Sequence, residues 1–261
     1  MIVYEKPLKD GLQKIVAKAI QENGSHTDLS ALFSSAMICT TAITVSVYLR
    51  DPPLQALACE AGCSHCCYQY DIGTTPFEVL HIAAVILESY SDAERDQLQE
   101  RLSAAESQKQ QQPIEDWGLA KFPCPLLVNE QCSVYEIRPF ICRAMNSYDG
   151  DRCRMNRESP RNVSSVPMYN HQYDIAKFSR TGIQQGLSEV GLQNDILELV
   201  PALRIALTTP DALIRWLAGE RVFDEAVSRL PPRSGQLQLG AANNKTSHSD
   251  ENPLNTMTND T

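Results

Sequence analysis

The stretch CEAGCSHCCYQYDIGTTPFE, residues 59–78, decides the fold, because it sets four cysteines directly before the start of a helix. Thr75, Pro76 and Glu78 form the Ser/Thr-x-x-Glu pattern of a capping box with proline at the first helical position. Gly62 permits the sharp backbone turns that a metal-wrapping loop needs. We therefore predict a cysteine-rich loop that leads straight into an apolar helix.

A second cysteine-bearing stretch, CPLLVNEQCSVYEIRPFICR, occupies residues 124–143. Residues 126–135 contain the only plausible strand material, and Asn129 and Glu130 suit the turn of a small hairpin. Pro139 predicts a helix start with Cys142 in the first turn, where the helix dipole favours a thiolate. The two stretches contain seven cysteines, and Cys153 follows ten positions after the second stretch. Together they supply eight of the nine cysteines: Cys59, Cys63, Cys66, Cys67, Cys124, Cys132, Cys142 and Cys153.

Clustered thiols of this kind predict a bound metal. Thiolates are soft, charged ligands that suit Zn²⁺ or an iron–sulfur cluster far better than Mg²⁺ or Ca²⁺. Two adjacent thiolates on one mononuclear ion would strain the backbone, so Cys66 and Cys67 either serve different metals, or one of them bridges or stays free. We expect ligands from both stretches to share a site, which would tie the two halves of the region together.

Two other interpretations of the cysteines need no metal. Free cysteine packs as a small buried hydrophobe, and Cys59, Cys63, Cys66 and Cys67 would share one helix face, but this leaves the other four unexplained. A disulfide framework needs an oxidising compartment, which the N-terminal sequence does not support. Cys39 stands apart in an uncharged helix, and we expect it to pack in the core.

Residues beside the cysteines have candidate roles around a metal. Arg138 and Arg143 offset the negative charge of a thiolate-rich site or donate N–H bonds to sulfur, and the alternative is surface ion pairing with Glu136 or Asp149. His65 is an alternative ligand to one sulfur. The aromatic residues expected to shield the site from water are Tyr68, Tyr70, Tyr135 and Tyr148.

Outside the cysteine stretches the apolar periodicity predicts helices. The first begins at Pro7 and stops at Gly24, and the second runs from near Asp28 to Arg50. A surface helix opens with the capping box at Ser91. Three more follow Pro167: residues 173–187, residues 196–207, and a last one opened by Thr209 and Pro210 that carries Leu213, Ile214, Trp216, Leu217, Val222 and Phe223.

These elements predict a mainly α fold, in which an irregular cysteine-rich metal-binding core packs within a helical bundle that has at most a small β-hairpin. We predict four parts. Residues 1–53 form an N-terminal helical segment and residues 54–160 the metal-binding region. Residues 161–230 form helices that pack on it, and residues 231–261 form a disordered tail, because that tail is polar and lacks aromatic residues.

Composition excludes several functions. The formal net charge of −9 and the lack of a basic run argue against a nucleic-acid partner. The uncharged stretch at residues 31–49 is diluted by serine and threonine, so we expect no membrane partner. Many cysteines beside an N-terminus without the features of a secretory signal predict a cytoplasmic protein.

The two quoted stretches, read in order, resemble the YkgJ-type cysteine-cluster family, a zinc- or iron-chelating domain. The shared motifs are Cys-x2-Cys-Cys, Cys-Pro-Leu-Leu, Cys-Ser-Val-Tyr-Glu and Arg-Pro-x2-Cys-Arg, over roughly residues 59–153. The resemblance implies six metal ligands, with Cys59 and Cys153 completing the set. The family pattern has two residues between its first two cysteines, whereas this sequence has three between Cys59 and Cys63. The implied ligands are Cys63, Cys66, Cys67, Cys124, Cys132 and Cys142.

The sequence therefore predicts a protein that binds Zn or Fe, either as ions or as an iron–sulfur cluster. One alternative is an iron–sulfur-dependent oxidoreductase or a protein-modifying, methylation-related enzyme. Another is a zinc-stapled adaptor that recruits a protein partner. The sequence does not decide whether the protein is an enzyme.

Overall fold

Helices dominate the computed structural model, which describes residues 2–60, 62–69, 72–113, 119, 121–163 and 165–228. Helix α1 spans Glu5–Asn23 and ends at Gly24, whose φ of 52° lies in the left-handed region that glycine tolerates. Helix α2 spans Leu29–Arg50, and the carboxylate of Asp28 caps it by accepting the amide N–H groups of the first turn. Both predicted N-terminal helices are confirmed.

Two capping boxes start the next pair of helices. Helix α3 spans Pro76–Ser89, and helix α4 spans Asp92–Gln110. In each box the N-cap hydroxyl accepts the amide N–H three residues on, and the glutamate there accepts the N-cap amide in return. The predicted starts of both helices are confirmed, because a capping box is a purely local signal.

The remaining helices follow the second cysteine stretch. Helices α5 and α6 are short, whereas α7 is the longest of this half of the chain. The sequence did not predict α6, and it extended the last helix to Val222 and Phe223, which lie beyond its end. The bounds are α5 Phe140–Ala144, α6 Gly150–Glu158, α7 Asn170–Glu189, α8 Leu199–Thr208 and α9 Ala212–Leu217.

Helices α1 and α7 make the most extensive helix–helix contact of the described chain. Gly182 and Gly186 of α7 lie against the α1 backbone. A Cβ at Gly182 would stand 2.7 Å from the carbonyl oxygen of Lys9, and one at Gly186 would stand 2.7 Å from that of Gln13. The two glycines are therefore what allows the helices to approach so closely.

Helix α2 packs against α1, α3 and α7 with one face only. Phe33 is buried and stacks on the ring of His81, whereas Ile38 and Leu49 on the opposite face are exposed. By length and composition alone this helix could cross a membrane, and 28% of its apolar window is buried inside the protein. A buried hydroxyl pair, Thr40 and Ser179 at 3.1 Å, joins it to α7.

The core is centred on α3, most of which is buried between α2 and α8. Cys39 packs against the edge of this core, as predicted. The fully buried large side chains come from all parts of the described chain and include Leu8, Leu12, Phe77, Ile82, Leu98, Ile183, Leu197, Trp216 and Phe223.

Two small antiparallel sheets complete the architecture of the described residues. Strands β2 (Leu127–Val128) and β3 (Gln131–Cys132) form the predicted hairpin, with Asn129 and Glu130 at positive φ in its turn. Strands β1 (Gly73–Thr74) and β4 (Leu197–Glu198) form a second pair that the sequence did not predict. Through this second pair, the part of the first cysteine stretch that follows its cysteines is attached to the residues directly before α8.

The mainly α fold class is confirmed. Side chains from the N-terminal helices, the cysteine region and the C-terminal helices share one hydrophobic core. The division into four parts stays a prediction, and the tail predicted for residues 231–261 lies outside the described residues.

Candidate metal centre

The first cysteine stretch is irregular apart from one 3-10 turn, His65–Tyr68. Gly62 turns the chain with a φ of 87°, which is the role the sequence predicted for it. The interpretation that places four cysteines on one helix face is wrong, because only Cys66 and Cys67 lie in that turn and the other two lie in irregular chain.

The hairpin carries the next two cysteines, Cys124 just before β2 and Cys132 at the end of β3. Burial raises the pKa of the Cys124 thiol to about 11, and a backbone hydrogen bond from Leu126 opposes this rise. Burial likewise raises the pKa of Cys132, and a backbone hydrogen bond from Val134 opposes it. In both cases an amide two residues further on bonds to the sulfur, which orients the thiol and would stabilise a thiolate.

A backbone hydrogen bond joins the two stretches. The amide of Cys124 donates to the carbonyl oxygen of Cys67 at 2.8 Å, across more than fifty residues of intervening chain. Helix α5 adds Cys142, whose pKa is raised well above its ordinary value by burial and then by Cys124, Cys66 and Cys132. These five thiols lie near one another, and we call them the inner group: Cys66, Cys67, Cys124, Cys132 and Cys142.

The other three thiols form a second set, which we call the outer group: Cys59, Cys63 and Cys153. The amide of Ala58 donates to the carbonyl oxygen of Ser147 at 2.8 Å, which places Cys59 beside the chain that leads into α6 and Cys153. Burial raises the pKa of Cys153, and the charges of Cys59, Cys63 and Cys66 raise it further. The structure therefore brings the ends of the cysteine region together.

The surroundings of Cys66 favour its protonated form. A hydrogen bond with Cys67 and then burial raise the pKa of Cys66 far above its ordinary value. Buried neighbouring thiols resist ionisation because each thiolate would repel the next, and a bound cation reverses this preference. Among the described residues, no three His, Cys, Asp or Glu side chains stand at metal-binding geometry.

Two arginines lie against the inner group, and their predicted role beside a bound metal stays a prediction. The charge of Arg138 lowers the pKa of Cys66 and of Cys132, in opposition to their burial. Its guanidinium stacks on the Tyr135 ring at 3.7 Å, and its Nε is buried without a partner among the described residues. Arg143 donates to the backbone carbonyl oxygens of Glu136 and Arg138, so it is not a surface ion pair. Both guanidinium groups suit a site of excess negative charge.

A polar brace links three of the cysteine-bearing segments. The carboxylate of Glu130, at the hairpin tip, accepts hydrogen bonds from Ser64, Tyr68 and Arg157. Arg157, from α6, also stacks its guanidinium on the Tyr68 ring at 3.4 Å. Sequence reasoning treated Glu130 only as a turn residue and missed Arg157, because their pairing depends on segments that are distant in sequence.

Glu78 is a second residue whose role in the site exceeds its sequence signal. It is 1% exposed and its carboxylate completes the capping box of α3. The other carboxylate oxygen accepts the amide N–H of Phe140 at 2.9 Å, which fixes the start of α5 and therefore the position of Cys142. A glutamate in a capping box uses one carboxylate oxygen within its own helix. The unused second oxygen was the signal that Glu78 could accept a hydrogen bond from another segment.

Three histidines have different environments in the structure. His65 has a buried Nδ1 without a partner among the described residues, which is consistent with its predicted role as an alternative ligand. His81 packs on Phe33. His171, for which the sequence predicts no role, bonds Tyr4 through Nδ1 at 2.8 Å and Asp51 through Nε2. His171 therefore joins the start of α7 to the start of α1 and to the end of α2.

The predicted aromatic shield is only partly formed. Tyr68 and Tyr135 stack with arginines at the site, although Tyr135 is 52% exposed. Tyr148 lies instead near Tyr48, whose pKa is raised by burial first and then by this neighbour, and near Tyr169, whose pKa is raised by burial first and then by Asp51. Tyr70 lies outside the described residues.

A shallow apolar cleft also reaches the site, lined by Gln69, Ile72, Phe122, Pro123, Cys124, Pro125, Leu199 and Val200.

Comparison with known proteins agrees with this site. Residues 58–171 match the family model CxxCxxCC, described as "Putative zinc- or iron-chelating domain". The match covers less than half of the chain, but it contains all eight clustered cysteines, and it confirms the resemblance found in the sequence. No curated protein and no solved structure matches the chain.

Proposed function

We propose, from the match of residues 58–171 to a zinc- or iron-chelating domain, that this protein holds zinc or iron through its eight clustered thiols. The observation that carries the proposal is the hydrogen bond from the Cys124 amide to the Cys67 carbonyl oxygen. It joins two cysteine segments that are distant in sequence, and thiols from both then raise one another's pKa. Gathering reduced thiols in one place is what a thiolate site requires.

The donor set fits both candidate cofactors. Thiolates with amide N–H groups bonded to sulfur, and with nearby guanidinium groups, suit a tetrahedral zinc site and an iron–sulfur cluster alike. Bound metal would supply a folding contribution and, in the cluster case, electron transfer. The residues of this chain position the sulfurs and offset their charge.

The experiment is elemental analysis with an ultraviolet–visible spectrum on protein purified without air. Stoichiometric zinc with a colourless solution identifies a zinc site, and stoichiometric iron with visible absorption that dithionite bleaches identifies a cluster. Protein that is free of both metals, and that stays folded in chelator, contradicts the proposal. The Cys39→Ser variant is the matched control, because this thiol packs against the core away from the site.

We also propose that the protein works in a reducing compartment, the cytoplasm. All nine cysteines are free thiols, which supports this placement. Subcellular fractionation with thiol labelling tests it. Recovery in an oxidising compartment with the site thiols blocked as disulfides contradicts it.

A further inference from the structure

We propose that the exposed face of α2 is a dimer interface, on which a second copy of this chain packs its own α2 in the antiparallel direction. This inference goes beyond the proposed function and does not depend on it, because α2 carries none of the eight clustered cysteines. The interface consists of six exposed residues, which we call the outer α2 face: Ala31, Ser35, Ile38, Ala42, Val45 and Leu49.

The first support is the spacing of these six residues. They recur in alternating steps of four and three, which keeps them on one side of the helix, and this is the heptad spacing by which two helices pack along each other. The opposite side of α2 is buried against α1, α3 and α7. It consists of Leu29, Leu32, Phe33, Ala36, Thr40 and Val47. The helix therefore carries a second helix-packing pattern besides the one that the fold uses.

The outer α2 face is apolar and open to solvent among the residues that the structure describes. Ile38 is 71% exposed, Val45 is 52% exposed and Leu49 is 83% exposed. No charged residue lies between Asp28 and Arg50, so the net charge of −9 places no like charges directly on this face. Monomeric proteins rarely leave a large contiguous apolar patch in water. We therefore expect a partner that buries it.

The shape of the outer α2 face is complementary to itself when the two helices run in opposite directions. With a two-fold axis level with residue 40, each small side chain lies opposite a large one, which fills the space without a clash or a void. The facing pairs are Ala31 with Leu49, Ser35 with Val45, and Ala42 with Ile38. In the parallel direction each residue would face its own copy, so that large side chains meet large ones and small side chains leave gaps.

The charges at the two ends of α2 favour the same direction. Asp28 caps the start of the helix, Arg50 is its last residue, and both are exposed. Antiparallel packing brings Arg50 of each copy near Asp28 of the other, and it sets the helix dipoles against each other. Parallel packing would bring like charges together. Both the shape and the charge of this face therefore fit a second copy of the chain in a symmetric contact.

The size of the face sets the expected affinity. Helix α2 has 22 residues, which gives a length of about 33 Å. Two single helices in contact bury less than the roughly 800 Å² per partner of a standard protein–protein interface. We therefore expect a monomer–dimer equilibrium that depends on protein concentration.

The test is sedimentation velocity of the full-length protein at a series of concentrations, with reductant present to exclude disulfide-linked dimers. The wild type should shift from monomer to dimer as its concentration rises. Ile38→Glu should weaken dimerisation by about a hundredfold, because the two new charges lie close to the two-fold axis and repel each other. Ile214→Glu, at an exposed apolar position of α9, is the matched control and should dimerise like the wild type.

A pair of substitutions at opposite ends of the helix tests the direction. Ala31→Glu and Leu49→Lys should each weaken dimerisation, whereas the double variant should dimerise more tightly than either, because each new carboxylate then lies opposite a new ammonium group of the second copy. A double variant weaker than both single variants contradicts antiparallel packing. The proposal is also overturned if Ile38→Glu dimerises like the wild type, or if the wild type stays monomeric at every concentration, free or bound to vesicles.

Discussion

At the scale of single residues, the carboxylate of Glu130 is the least obvious determinant of the site. It accepts hydrogen bonds from Ser64 and Tyr68, the residues on either side of Cys66 and Cys67. Its charge also attracts Arg157 from α6. Partners of this kind control where ligands stand before the ion arrives.

We predict that Glu130→Gln weakens zinc affinity by about 10–100-fold, the range typical for residues that orient ligands. The amide keeps the shape of the side chain but loses the charge that holds Arg157. Competition with a chelator of known affinity measures the effect, and Glu22→Gln, an exposed residue on α1, is the control. Equal affinity for both variants would show that the brace does not position the thiols.

His81 gives the protein a pH dependence of its own. Burial lowers the pKa of its imidazole from the ordinary value of 6.5, and the charges of Asp28 and Arg143 then act in opposite directions on it. The unfolded chain therefore takes up this proton at a higher pH than the folded chain. The stability that neutral His81 contributes is present above pH 6.5 and is lost as the pH falls towards the lowered pKa.

We predict a smaller free energy of unfolding at pH 5.5 than at pH 7.5, and a weaker pH dependence in His81→Gln. Urea denaturation of the metal-free protein at the two pH values measures both quantities. His26→Gln, at an exposed site, should retain the wild-type dependence. Identical pH profiles for the wild type and His81→Gln would refute this assignment.

At the scale of elements, the contact between α1 and α7 depends on glycine. We predict that Gly186→Ala destabilises the protein by about 1–3 kcal/mol, because the new Cβ would lie 2.7 Å from the Gln13 carbonyl oxygen and 2.8 Å from Val16 Cβ. Backbone on both sides must then move. Thermal and urea unfolding measure the loss.

The matched substitution is Gly11→Ala on the facing helix. Its new Cβ would stand 3.4 Å from the Cys39 sulfur, near ordinary contact, and alanine is the better helix former by about 1 kcal/mol. This variant should therefore be neutral or more stable. If Gly186→Ala behaves in the same way, the helices are not in the close contact described.

Elements with local signals were predictable, and those without them were not. Thr75 and Glu78 mark the start of α3 within four residues, so the sequence located it. Helix α6 carries Cys153 in a charged segment without an apolar stripe, and periodicity therefore missed it. Strand β1 has two residues and pairs with β4 far along the chain, a distance at which no turn signal operates.

At the candidate metal centre, too, local signals were predictable and contacts between distant segments were not. Cysteine spacing identified all eight candidate ligands, since thiols of this density are a chemical signal that needs no geometry. Spacing could not show that Cys153 lies with Cys59, or that Ser147 bonds near both, because chain folding brings those residues together. Their role as ligands stays a prediction until metal is measured.

At the scale of the whole molecule, α2 poses the question of membrane association. We predict that the protein stays in solution and does not float with liposomes, because insertion of α2 would expose the pocket of Phe33 and break the Thr40–Ser179 pair. Flotation with neutral and anionic vesicles measures this. Phe33→Ala loosens the packing of α2 and is the comparison, and wild-type protein in the vesicle fraction would contradict the prediction.

The pairing of β1 with β4 has a consequence for how this protein should be divided. The segment that matches the family model ends at residue 171, but the strand that follows its first cysteines pairs with Leu197 and Glu198, and Lys109 of α4 meets Glu198 at 2.6 Å. A fragment cut at the limits of the family match would lack that partner and would leave the apolar flanks of α3 open to water. The segment that matches the family model is therefore shorter than the stretch of chain that packs together in the structure.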